Sequence, residues 1–359
     1  MLASRVVSSV VQRQVKYVKP VPQESAKGIV AEVYEQVAGE MRLVVPPVLL
    51  HSPSPPATAA YWMLMREPLT TGGAVDRSAK EAVASAVSVA NICPYCLDMH
   101  STNMYGLAGP DDAEAIATDR LDDVRDERLR RLAGWAREAH LLDAPMPSPA
   151  VFTEAERPEL VGVMVAFHYL TRMVNVFLAS FLLPPRLSPA ARRRAKQGIS
   201  HLLSPTLRGA FPPGRSLSLL PPAALPVDAG WAAGNHVVAE AVSRAYAALE
   251  AAGERALSPE VRALVHSRLA DWRGEETGLS RQWCEDLVAG LPAAERAAAR
   301  LALLTALASH QVDESVVEDF RRHDPDDRRL VEAAAWASYA VARRIGARYV
   351  PAESGPAGG

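Results

Sequence analysis

Cys93, Cys96 and His100 fall within eight positions of the segment NICPYCLDMH, residues 91–100, and the chain has one further cysteine, Cys284. Proline is favoured at the first position of a helix, so Pro94 puts Cys93 near the N-cap and Cys96 in the first turn. Free backbone amides there favour a thiolate. His100 lies four residues after Cys96, on the same helix face, where an imidazole can take the thiol proton or stabilise the thiolate. The preceding helix carries Glu81, Ser85 and Ser88 as a polar stripe opposite Val83, Ala86, Val87 and Ala90. A carboxylate there can orient His100, completing the third-group logic of an activated nucleophile. Helix-start electrostatics favour Cys93 as the attacking thiol, whereas the histidine one turn on favours Cys96.

Other uses of these residues are weaker. A structural zinc site needs a second ligand pair at a distance, and none is present in the sequence. A c-type haem attachment requires histidine directly after the second cysteine. The cysteines can also be plain core residues. No metal and no cofactor is expected. A second polar set, His168, Arg172 and Asn175, lies at i, i+4 and i+7 in the apolar segment 160–184. Either it faces the Cys96 pocket, with Ser88, and binds substrate, or it is structural, Arg172 pairing with a carboxylate and His168 with a carbonyl.

The elements that must position these groups are helices. Strand signals are nearly absent, and helical spacing predicts helices over 26–43, 57–67, 77–90, 127–139, 159–182, 239–252, 259–272, 293–309 and 326–348. The expected fold class is all-α. Hydrophobic residues make up 49% and charged residues 22% of the 359, a globular balance. A net charge of −2 gives no electrostatic case for nucleic acid or an anionic membrane. The basic run at 192–196 reads as a solvated helix face. Three cysteines cannot form a disulfide framework, which points to a reducing, cytoplasmic setting, and no stretch has signal-peptide character. Segment 160–184 is long enough to span a membrane, but its central His, Arg and Asn are costly in lipid, so it is expected as a buried helix.

Residues 204–230 hold six prolines and three glycines and read as an inter-domain connection. The expected organisation is an arm at 1–22, a catalytic domain at 23–203, the linker, a second helical domain at 231–350 and a disordered tail at 351–359. The two sides of the linker resemble each other. Residues 131–140 align with 301–310, and 159–177 with 329–347, both at a shift of 170. Residues 74–87 align with 256–269 at a shift of 182. At that second shift Glu81, Cys93, Cys96 and His100 fall on Ala263, Glu275, Gly278 and Gln282, so the second copy is expected to be chemically silent. Cys284 is expected in a packed helix.

Glu81, twelve positions to Cys93, CPYC and then His100, within KEAVASAVSVANICPYCLDMHS, resembles the alkylhydroperoxidase-D-like branch of the carboxymuconolactone decarboxylase family. That resemblance covers residues 23–185 directly. It implies an all-helical fold, a homo-oligomer and thiol-dependent reduction of a small hydroperoxide, with an external dithiol as reductant. It further implies Cys96 as the peroxidatic thiol, Cys93 as the resolving thiol, and Glu81 and His100 as the proton relay. A peroxidatic thiol must lose a proton and its alkoxide leaving group must gain one, which favours the thiol beside the relay. A non-redox lactone decarboxylase, or a redox-sensing or structural protein without turnover, are the alternatives.

Overall fold

In the computed structural model the described residues, 14–147, 150–179, 181–209 and 211–351, are helical, and their β pairing is limited to two isolated bridges. The first half holds α1 (Gly28–Met41), α2 (Pro46–His51), α3 (Pro55–Met65), α4 (Arg77–Ala90), α5 (Pro94–Leu107), α6 (Pro110–Ala117), α7 (Glu127–Glu138), α8 (Arg157–Phe177) and α9 (Pro189–Leu207). The second holds α10 (His236–Ala256), α11 (Pro259–Asp271), α12 (Gln282–Val288), α13 (Ala293–Leu307), α14 (Glu314–His323) and α15 (Asp327–Ala347). Starts follow capping chemistry: the side chains of Asp76, Asp126 and Ser258 accept from Ala79, Leu129 and Val261 amides.

The core runs through both halves without a break. Its centre is α8 packed along α15, with α3 along α10 beside them. Both α8 and α15 are 21 residues long and stand 170 positions apart. By length and composition α8 could cross a membrane, yet its most apolar window is 94% buried inside the protein.

Three sequence expectations change. The helix expected to reach residue 182 ends at Phe177, because the N-terminal arm takes over its backbone partners. Val15 forms an antiparallel bridge with Leu178, Lys16 N donates to Phe177 O at 2.7 Å, and Ala179 N donates to Gln14 O at 3.0 Å. The basic run is not simply solvated. Arg192 pairs with Asp98 at 2.7 Å, Arg193 with Asp111 at 3.0 Å and buried Lys196 with Glu114 at 2.8 Å, docking α9 onto α5 and α6. The proline-rich stretch is packed as well. Glu67 accepts from the amides of Gly214 and Ser216 and from the Ser216 hydroxyl, and Leu219 and Leu220 are buried. Residues 1–13 of the arm and 352–359 of the tail lie outside the described residues.

Candidate active site

α4 and α5 form a tight hairpin, and all four motif residues sit on it. The turn between them is closed by Cys93 N donating to Ser88 O at 2.9 Å. Its apex, Ile92, has φ of 50°, a left-handed value that a β-branched side chain rarely adopts. Cys93 is the N-cap of α5 and Pro94 its first residue, so Cys96 occupies the first turn as the spacing predicts.

Glu81 is the fully buried hub. Its Oε1 accepts from Arg77 Nε at 2.7 Å, and its Oε2 accepts from His100 Nδ1 at 2.7 Å and Asn103 Nδ2 at 3.2 Å. Burial alone would raise the Glu81 pKa, but Arg77 and His100 together outweigh it and bring the carboxyl down to about 2. An ionised carboxylate only accepts, so the His100 proton on that side resides on Nδ1. Nε2 is then the nitrogen available to the cavity that His100 lines. The ring is held edge-on against Phe167, with centroids 4.5 Å apart.

That cavity, of about 270 Å³, is walled by Tyr61, Trp62, Met65, Leu170 and Leu207 among other apolar groups, and Cys96, His100, Arg77 and Asn103 open into it. Cys93 and Cys96 are both buried free thiols. The helix-start amides do not prevail at Cys96. Burial pushes its thiol well above the usual range, and neighbouring Cys93 adds to the shift. Ionisation of Cys96 therefore needs a base, and His100 is the imidazole lining the same cavity.

The expected substrate-pocket residues lie elsewhere. Ser88 is fully buried and its hydroxyl donates to Ala84 O at 2.7 Å within α4. Arg172 lines a second cavity, not that of Cys96. Its Nε donates to Ala306 O at 2.7 Å and Nη1 to His168 O at 2.6 Å, so carbonyls rather than a carboxylate hold it. His168 Nδ1 accepts from Asn91 Nδ2 at 3.0 Å, and Asn175 donates to Asn91 O and to Ser309 Oγ, both at 3.0 Å. Periodicity identified one helix face correctly but not what lies across from it. Arg77 and Asn103 were overlooked, although Arg77 precedes Glu81 by one turn and Asn103 follows His100 by three residues. Tyr61 and Tyr95 also reach the cavity. Tyr61 stacks on His51 at 4.5 Å, and the Tyr95 hydroxyl donates to Gln14 of the arm at 2.9 Å.

Cys284 is buried on α12, its thiol pushed up to about 12 by desolvation foremost, with Glu285 adding to it. Among the described residues no three His, Cys, Asp or Glu side chains converge as metal ligands do.

Comparison with known proteins agrees with the hairpin. A model of the carboxymuconolactone decarboxylase family matches residues 56–138, a span that includes Glu81, both motif cysteines and His100. An alkyl hydroperoxide reductase of Mycobacterium tuberculosis is 35% identical over 332 residues, 92% of this chain and 94% of that protein.

Proposed function

The chain belongs to the carboxymuconolactone decarboxylase family, and from that premise we propose that it reduces organic hydroperoxides through Cys96 and Cys93. The observation that carries this reading is the Glu81–His100 hydrogen bond of 2.7 Å beside the apolar cavity onto which Cys96 opens. A relay of this kind is what a buried thiol of raised pKa requires.

In the cycle, His100 Nε2 takes the Cys96 proton while the sulfur attacks the distal oxygen of the hydroperoxide. The S–O bond forms, the O–O bond breaks, and the alkoxide leaves with the proton returned by His100 as an alcohol. Sulfur is oxidised by two electrons to a sulfenic acid. The Cys93 thiol then attacks the Cys96 sulfur, forming the disulfide and releasing water, and an external dithiol returns both sulfurs to thiols. Glu81 stays ionised throughout and stabilises the transient imidazolium. The apolar wall suits the alkyl part of the substrate.

The second half, on the same reading, is a degenerate copy. The equal lengths of α8 and α15 at a shift of 170 support it, as does the absence of thiols at Glu275 and Gly278. It completes the core around α8 and takes the place of a neighbouring subunit, and the working form is a homo-oligomer.

Stopped-flow consumption of cumene hydroperoxide with intact-mass analysis tests the cycle. Cys96→Ser should abolish consumption, and Cys93→Ser should react once and stop at a Cys96 sulfenic acid. The opposite pattern would reverse the two roles. Turnover of a lactone acid that survives both substitutions would favour the non-redox alternative.

A further inference from the structure

The second cavity, of about 200 Å³, lies where the two halves meet. The Asn91–Ile92 turn, His140 and Arg172 form one side of it, and the 274–279 loop and His310 form the other. His140 and His310 occupy equivalent positions at the shift of 170, so the cavity straddles the repeat.

Arg172 is only 6% exposed, and no carboxylate among the described residues lies within ion-pair distance of it. Its hydrogen bonds use Nε and Nη1, all to Ala306 O and to the backbone and ring of His168, so Nη2 is the nitrogen left for a ligand in the cavity that Arg172 lines. A buried cation without a counter-charge is costly, and burial lowers this one to about 9. His168 adds a second unmet donor nearby. Asn91 Nδ2 and Arg172 Nη1 both donate toward its Nδ1, so the proton sits on Nε2, which is buried and has no partner. The acids at the rim do not answer this charge. Both oxygens of Glu275 are occupied, by Arg268 Nη2 at 3.1 Å and Arg273 N at 2.7 Å. Glu276 is exposed and acts on His310.

We infer that this cavity is a binding site for a small oxyanion, a carboxylate or phosphate group, received by the free Nη2 of Arg172. A guanidinium N–H offers an anionic oxygen a charge-assisted hydrogen bond, stronger than one between neutral groups. The volume is below the ~300 Å³ of ordinary small-molecule pockets, which limits the ligand to a few heavy atoms beyond the anionic group. Cys96 takes no part in the site.

Calorimetric titration of the full chain with inorganic phosphate and with acetate, against chloride at equal ionic strength, tests it. One of the two should bind saturably at one site per chain, and which one binds identifies the oxyanion. Cys96→Ser should bind as the wild type does, which separates this site from the peroxidase reading. Arg172→Gln should weaken binding at least ~10-fold. If Arg172→Gln does not fold, Glu276→Gln at the exposed rim should tighten binding several-fold. Absence of saturable binding by either anion, or unchanged affinity in the folded variants, would overturn the inference.

Discussion

Glu81 and His100, nineteen residues apart on the two arms of the α4–α5 hairpin, meet through a 2.7 Å hydrogen bond from Nδ1 to Oε2. Glu81→Gln keeps the shape and removes the charge. An amide can donate to His100 as well as accept, so the imidazole loses its fixed tautomer. The expected result is a fall of about 10²–10³ in the rate of Cys96 oxidation, with a smaller change in KM, read by stopped flow. Loss of melting temperature without that rate effect would assign Glu81 a structural role.

Acid should destabilise the protein well before its carboxylates titrate. His51 is fully buried, its Nδ1 on Pro47 O at 2.6 Å and its Nε2 on the Tyr169 hydroxyl at 2.8 Å. Burial lowers its pKa to about 4, against a weaker opposing effect of the Pro47 carbonyl. Burial, with Arg172 and Arg137 nearby, brings His140 to about 4 as well. Between pH 6.5 and 4 the unfolded chain binds protons that these histidines refuse when folded, so stability rises with pH across that window. It is complete above about 6.5 and lost toward 4. For His51 alone the effect is on the order of 3 kcal/mol. Denaturant unfolding at pH 7 and pH 4.5 measures it, and a flat profile would contradict it.

Ile92 offers a stabilising substitution. It holds φ of 50° while 52% exposed, so the side chain contributes little burial to offset the strained backbone. Ile92→Gly should stabilise the fold by about 0.5–1 kcal/mol, read from the midpoint of urea unfolding. A destabilised variant would show that the exposed side chain contributes more than the strain costs.

The hairpin was legible because its chemistry is local. One turn and two helical periods fix where Glu81, Cys93, Cys96 and His100 stand relative to one another, whatever surrounds them. Groups that arrive from far along the chain were not. Arg172 and Asn175 find Ala306 and Ser309, each 134 residues on. The basic residues of α9 find Asp98, Asp111 and Glu114, 82 to 94 residues back. Periodicity states which face is polar, and only tertiary packing decides what that face meets. The ionisation of Cys96 is legible only in part for a related reason: the helix-start amides that favour its thiolate are visible in a sequence, and the depth of burial that outweighs them is not.

The packing of α8 along α15 also sets a timetable for biosynthesis. When residues 157–177 leave the ribosome, the helix that covers them, 170 positions later, has not been made. At ~5–20 residues per second the wait is roughly 10–30 s. For that interval the face of α8 that meets α15 has no native partner, and nascent chains arrested near residue 210 should be captured by chaperones that full-length chains escape.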